Sequence, residues 1–219
     1  MKKHKAAIFD MDGTLLDTMY IWRNLAKEYL IRHNIAIPEE LKSKLVTMGI
    51  IRAINVLRED FQINMTPEKI QEGLFEVLED YYTSNSVFKP RARELLENLR
   101  SRNIPTVLLS ATPERFLRLA LGKLDAIGYL SNGILSCASL PYNKQHPESF
   151  FIAAEHLHST PAETVVFEDA WYAANTAKKA GFTVAIIADK SELKVAETRE
   201  LADFYAEKSW DEFPFDRFF

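Results

Sequence analysis

The sequence predicts a doubly wound α/β protein, a parallel-sheet core carrying an inserted α-helical module, on three observations. Short apolar runs without polar alternation recur at Ala6–Phe9, Thr106–Leu109, Thr164–Phe167 and Thr183–Ile187. Strands buried on both faces of a parallel sheet read this way. Helical periodicity separates the last three runs, which is the alternation of a βαβ chain. Between the first run and the second, residues 17–86 are helical throughout, with no strand among them.

The elements follow in chain order. Ala6 to Phe9 is a strand, and Asp10-Met-Asp12-Gly13-Thr14 leaves it through a Gly-Thr turn. Trp22, Leu25, Ala26, Tyr29 and Leu30 keep helical spacing, as do Ile50, Ile54, Leu57 and Phe61, and then Ile70, Leu74, Val77, Leu78 and Tyr81. Thr66-Pro67 starts the last of these, with a capping hydroxyl and then a proline at the first helical position. Three or four amphipathic helices of this kind read as a small bundle. From Pro90 onward, Arg91–Arg100 is a helix and Thr106–Leu109 a strand that ends at Ser110-Ala111-Thr112. A helix starts at Thr112-Pro113, and another covers Glu148–His158. Thr164–Phe167 is a strand ending at Glu168-Asp169, Trp171–Ala180 a helix closed by Gly181, and Thr183–Ile187 a further strand.

Composition excludes several classes. The 219 residues, 47% hydrophobic and 26% charged, suit one large domain or a domain with a modest insertion. A formal net charge of −4 gives no pull toward nucleic acid or an acidic membrane, and the Lys2-Lys3-His4-Lys5 cluster is too short for a nucleic-acid tail. No apolar run reaches the roughly 18 residues of a membrane span, and the N-terminus has no apolar secretory region. The single cysteine, Cys137, excludes an intrachain disulfide and fits a reducing compartment. The expected location is cytoplasmic, with no membrane and no nucleic-acid partner.

The chemistry gathers at strand ends. In an open α/β sheet ligands bind beyond the carboxyl ends of the strands, and three of these ends deliver polar residues: Asp10 and Asp12, Ser110 and Thr112, Glu168 and Asp169. Side chains two apart on a strand share a side, so Asp10 and Asp12 can share a pocket. Two such carboxylates repel and call for a cation, a proton or a phosphoryl electrophile. From these two residues alone, a strand end with two solvated turn aspartates stays open. Lys144 stands in the polar loop Pro141–Pro147. Asp10, Glu168 and Asp169 ionised give −3, and Lys144 with a divalent cation gives +3, so a phosphate dianion would not be repelled.

This constellation resembles the haloacid dehalogenase superfamily, in the branch of β-phosphoglucomutase and phosphoglycolate phosphatase. Asp10-Met-Asp12-Gly13-Thr14 matches its first signature, and Ser110 after Val107–Leu109 the second. Lys144 before Pro147-Glu-Ser-Phe150 resembles the third, and Glu168-Asp169 the acidic fourth. The resemblance implies a Rossmann-like core over residues 1–16 and 87–219 and a helical, substrate-selecting cap over 17–86. It implies a phosphatase in which Asp10 is the nucleophile that becomes an aspartyl-phosphate and Asp12 the general acid and base. Ser110, Ala111 and Lys144 would bind the phosphoryl group, and Mg2+ would be held by Asp10, Asp12 through its carbonyl, Asp169 and Glu168. The substrate would be a small phosphorylated metabolite, and the protein a monomer or weak homodimer. Gly49-Ile-Ile-Arg52 looks like the cap loop whose arginine meets a distal phosphate; a solvated helix residue is the other reading of Arg52.

Three departures bear on function. Ala170 and Ala173 stand where that family commonly has Ser and Gly. Pro113 and Glu114 stand where its mutases place Lys and Asn to hold a reoriented bisphosphate. A carboxylate there repels a second phosphate, which favours a hydrolase over the mutase alternative. Asp12 argues against halide removal, because a carbon–halogen leaving group needs no proton donor. A non-catalytic phosphate-binding protein is the remaining alternative.

Overall fold

The computed structural model describes residues 4–45 and 49–219, so Lys2 and Lys3 of the basic cluster lie outside the described residues. The chain forms two compact units, residues 1–17 with 87–219 and residues 18–86.

The first unit is built on six parallel strands: β1 (Ala6–Phe9), β2 (Thr106–Ser110), β3 (Ile134–Ser136), β4 (Thr164–Glu168), β5 (Thr183–Ile187) and β6 (Phe204–Ala206). Their order is β3-β2-β1-β4-β5-β6. β1 is therefore flanked by β2 and β4, and the chain turns from one half of the sheet to the other beside it. This is the topological switch point at which open α/β sheets bind ligands. Ala7 is level with Thr106 on one side and Val165 on the other, and Phe9 with Leu108 and Phe167. The Phe9 and Phe167 rings stack with centroids 4.2 Å apart.

Every residue of β1, β2 and β4 is buried, which is why these strands read as continuous apolar runs. β3 and β6 are three-residue edge strands with only one buried residue each. The sequence reading has neither, because so short a half-buried segment carries no period. Around the sheet lie α4 (Ala92–Ser101), α5 (Glu114–Lys123), α6 (Pro147–His156), α7 (Trp171–Lys179), α8 (Val195–Leu201) and the short α9 (Phe215–Phe218). One apolar core joins Ile8, Val107, Val166 and Val184 to Phe150, Ala153, Ala174 and Ala177 of α6 and α7. Each large side chain fully buried in this way contributes about 1.5–3 kcal/mol.

The aromatic C-terminal stretch packs into this unit. Trp210, Phe213, Phe218 and Phe219 are all buried, and Trp210 meets Phe167 edge-to-face with centroids 5.4 Å apart.

The second unit is helical: α1 (Met19–Arg32), a 3-10 segment (Glu39–Leu45), α2 (Ile50–Glu59) and α3 (Pro67–Asn85). Thr66 caps α3, accepting the Lys69 N–H, with Pro67 at the first position. Leu25, Ala26, Tyr29 and Leu30 of α1 are buried, as are Ala53, Ile54 and Leu57 of α2 and Ile70, Leu74, Val77 and Leu78 of α3. The stripe of α3 closes on Tyr82 and not on the expected Tyr81. The Tyr82 hydroxyl accepts a 2.9 Å hydrogen bond from the Trp22 indole N–H, which gives its polar tip a partner inside the bundle.

Gly73 is the point where α3 meets α1. A Cβ there would stand 2.6 Å from Cε2 of the buried Tyr29 ring. Alanine is the better helix former by about 1 kcal/mol, but forcing an overlap into a packed core costs about 1–3 kcal/mol. Gly73→Ala is therefore expected to lower Tm by about 2–4 °C in a thermal melt. An unchanged or higher Tm would mean that propensity outweighs the contact.

Candidate active site

Six polar side chains converge at the carboxyl ends of β1, β2 and β4. Asp10 follows β1, with its N–H bonded to the Phe167 carbonyl at 2.9 Å. The chain then turns sharply: the N–H groups of Leu15 and Leu16 both reach the Met11 carbonyl, at 3.0 and 2.8 Å. Gly13 makes the turn at φ 89°, a left-handed conformation that glycine adopts without a Cβ penalty. Met11 is buried between Asp10 and Asp12, and both carboxylates reach the cluster.

Ser110 ends β2, and its Oγ accepts the Thr112 N–H at 3.1 Å. The Thr112 hydroxyl in turn donates to Asp12 Oδ2 at 2.7 Å. The Ser136 hydroxyl at the end of β3 donates to the Thr112 carbonyl at 2.8 Å and holds the loop. Ala111, between them, is exposed.

Lys144 comes from the loop before α6 and is buried. Its ammonium donates to Asp10 Oδ1 and, at 2.6 Å, to Glu168 Oε1. The other oxygen of Glu168 accepts the N–H groups of Asp169 and Ala170 at 3.1 and 3.2 Å. Asp169 Oδ1 accepts the Thr14 hydroxyl at 3.1 Å, and the Trp210 indole N–H donates to the Thr14 carbonyl at 2.9 Å. The C-terminal aromatic stretch thus steadies the turn that carries Asp12.

Electrostatics follow from burial and charge. Burial alone would lower the Lys144 pKa, but the carboxylates of Asp10 and Glu168 outweigh it and hold the ammonium above the usual lysine range. Burial raises Asp169 well above the usual carboxylate value, and the charges of Glu168 and Asp10 add to the rise. Burial also raises Glu168, against the pull of Lys144. Three buried carboxylates face one lysine.

Asp10, Glu168 and Asp169 bring ligand oxygens within 4.8 Å of one another. A set of hard oxygen donors with excess negative charge fits a divalent cation such as Mg2+. Cys137 is half-buried near Lys144, and burial pushes its thiol up. Arg52 is carried by the other unit. It stands exposed in the first turn of α2 in the helical unit, after Gly49 as the N-cap.

The start of α7 is held without a hydroxyl. Ala170 is the N-cap and offers no side-chain acceptor. Glu168 takes the Ala170 N–H, and Glu192 from the loop after β5 takes the Trp171 N–H at 2.6 Å. The same loop holds Asp189, whose buried carboxylate pairs with Lys89 and accepts the Ser191 N–H at 2.8 Å. Burial would raise the Asp189 pKa, but the hydrogen bonds from Lys89 and Ser191 prevail and leave it lowered.

A carboxyl with a depressed folded pKa contributes stability above its unfolded value and loses it as pH falls through the folded one. The stability gap between the protein and Asp189→Asn is therefore expected to be full near about pH 6 and to shrink below about pH 4. Denaturant melts across that range read it, and a gap independent of pH would contradict the assignment.

A family model for haloacid dehalogenase-like hydrolases matches residues 4–181. The chain belongs to that family. The hydrolase is 27% identical over 177 residues to a phosphorylated carbohydrates phosphatase of Thermotoga maritima, covering 81% of this chain and 82% of that one. It is 28% identical over 189 residues to (DL)-glycerol-3-phosphatase 2 of Arabidopsis thaliana, covering 83% and 78%. Its fold is shared with a Thermotoga maritima protein provisionally classed as a β-phosphoglucomutase, at a TM-score of 0.79 and 24% identity over 93% of this chain and 94% of that one.

Thr14, Trp210 and Glu192 support the site of this hydrolase in ways the sequence reading missed, and Thr112, which that reading places at the strand end, adds its hydrogen bond to Asp12. Thr14 and Thr112 carry a local signal, a hydroxyl within two residues of Asp12 or Ser110. Trp210 lies 196 residues from its partner Thr14, and no local pattern marks it.

Proposed function

We propose that this hydrolase is a Mg2+-dependent phosphatase of a small phosphorylated metabolite, acting through an aspartyl-phosphate on Asp10. The observation that carries this reading is the convergence of Asp10, Asp12, Ser110, Lys144, Glu168 and Asp169 at one sheet edge. The named phosphatases among the relatives support it.

Asp10 attacks phosphorus and the ester oxygen leaves with a proton from Asp12, which divides one difficult displacement into two. Asp12 then takes a proton from the water that attacks the phosphoryl group. Thr112 orients Asp12 for both transfers through its hydroxyl. The Lys144 ammonium holds Asp10 in place and, with the Ser110 hydroxyl and the Ala111 N–H, stabilises the charge that develops on the phosphoryl oxygens. Asp10, Asp169, Glu168 and the Asp12 carbonyl would hold Mg2+. When bound there, it supplies positive charge to the carboxylates and to the phosphoryl group.

The helical unit, with Arg52, is assigned to substrate choice, the family's usual use of such an insertion. Glu114, at the place where a mutase needs a bisphosphate contact, pairs instead with Arg118 at 2.6 Å. Among the described residues no helix is long and apolar enough to cross a membrane, and the single cysteine suits a reducing compartment. We place the protein in the cytoplasm as a monomer or weak homodimer.

The test is phosphate release from a panel of sugar phosphates, glycerol phosphate, phosphoglycolate and an aryl phosphate, with Mg2+ and with chelator. Release that chelation abolishes and Mg2+ restores is the expected result. No release from any substrate would refute the phosphatase reading, and isomerisation of a sugar phosphate on adding a bisphosphate would replace it with the mutase.

A further inference from the structure

Asp169 and Ala170 alone join the end of β4 at Glu168 to the start of α7 at Trp171. Whatever fixes the first turn of α7 therefore fixes the backbone of Asp169, one of the three carboxylates with oxygens within 4.8 Å of one another. The first N–H groups of a helix find no partner inside it and take one from outside. Ala170, the N-cap, has no side-chain acceptor to offer.

Glu168 meets part of that need through the Asp169 and Ala170 N–H groups. Its other oxygen is on Lys144, and it is itself one of the carboxylates a cation would draw on. The next N–H, that of Trp171, goes instead to Glu192, which lies outside the clustered carboxylates and can hold the turn whether or not a cation is bound.

Glu192 uses both of its oxygens. Oε2 accepts the Trp171 N–H at 2.6 Å and Oε1 the Lys194 N–H at 2.6 Å, so one side chain ties the loop after β5 to the helix start. The helix dipole favours a carboxylate at that end. Lys194 grips the same residue by its side chain, with its ammonium 3.5 Å from the centroid of the Trp171 ring. The loop is itself anchored. It leaves β5, whose Ile186 is level with Glu168 of β4. Asp189 in it pairs with Lys89 and accepts the Ser191 N–H at 2.8 Å, and the Glu192 N–H reaches the Asp189 carbonyl at 3.2 Å.

Asp169 is thus held at its carboxylate by the Thr14 hydroxyl and at its backbone by a turn that Glu192 closes. Mg2+ demands near-ideal placement of its oxygen ligands, so a helix start left loose would be felt as lost affinity. On the Mg2+-dependent reading, we propose that Glu192 is a positioning residue that sets the Asp169 carboxylate for the cation by tying down the first turn of α7.

The test is a calorimetric titration of Mg2+ into the native chain, Glu192→Gln and Glu192→Ala, with thermal melts of each without the metal. Glutamine keeps an acceptor oxygen at the same reach and removes the charge, whereas alanine removes both. The Kd for Mg2+ is expected to stay within about threefold of native in Glu192→Gln and to weaken about tenfold in Glu192→Ala, the scale on which partners of metal ligands act. Tm should fall by about 2–4 °C in Glu192→Ala, as for a lost helix cap. Should alanine not fold, Glu192→Asp takes its place, keeping the charge and shortening the reach by a methylene, and the same weaker binding is expected. A lowered Tm with native Mg2+ affinity overturns the proposal, because the contact then serves folding alone. Glutamine binding as weakly as alanine overturns it too, because the loss then follows charge and not the cap. If the native chain binds no Mg2+, the metal-dependent reading and this proposal fall together. Native binding with unchanged affinity in Glu192→Ala removes Glu192 alone and leaves that reading standing.

Discussion

Replacing Lys144 with methionine is expected to cost about 3–5 kcal/mol of stability, the usual result of removing one partner from a buried ionic cluster. Methionine fills a similar volume, so the loss comes from charge and not from a cavity. Asp10 and Glu168 lose their shared ammonium, and with Asp169 they form three buried carboxylates with no lysine among them. A thermal melt should show Tm lower by about 10 °C, and phosphate release should vanish, because nothing then balances the charge on the phosphoryl oxygens. Added Mg2+ should restore part of the lost Tm by neutralising the same carboxylates. A Tm within a degree or so of the native value would mean that these carboxyls fold protonated and that Lys144 does not balance them.

Asp10→Asn is expected to separate chemistry from folding. The amide has nearly the shape of the carboxylate, and one negative charge leaves a cluster that has an excess of them, so Tm should be unchanged or higher. The proposed nucleophile is gone, and the rate of phosphate release should fall on the order of 10⁵-fold, the scale seen when an enzyme loses its nucleophile. Direct binding of glycerol 3-phosphate should persist, because Ser110 and Lys144 remain. Activity within tenfold of the native chain would remove Asp10 from its assigned role.

Much of this architecture is legible in the residues, for physical reasons that can be named. β1, β2, β4 and β5 stand in the middle of the sheet, so burial on both faces writes them as unbroken apolar runs. Edge strands such as β3 and β6 escape because a neighbour's backbone, and not their own pattern, defines them. The α3 stripe locates its helix but misplaces its end by one residue, because the Trp22 hydrogen bond decides that Tyr82 turns inward.

The clustered residues of the site are legible for a related reason. Asp10, Ser110 and Glu168 sit at or just past the ends of recognisable strands, and parallel strands bring such ends to one edge. Register then sets the detail, pairing Phe9 with Phe167 so that Asp10 emerges beside Glu168. What supports these groups was hidden. Thr112 on Asp12 and Trp210 on Thr14 are contacts between segments 100 and 196 residues apart, and sequence distance alone conceals them.

The central claim, covalent catalysis at Asp10, is tested most directly by acid-quenching a single turnover with Mg2+ and mapping the peptides by mass spectrometry. A phosphoryl group should appear on Asp10 at early times and decay as inorganic phosphate forms, and Asp12→Ala should prolong it by slowing the attack of water. Release of phosphate with no phosphoryl adduct on Asp10 at any time, or with the adduct on another residue, would contradict it.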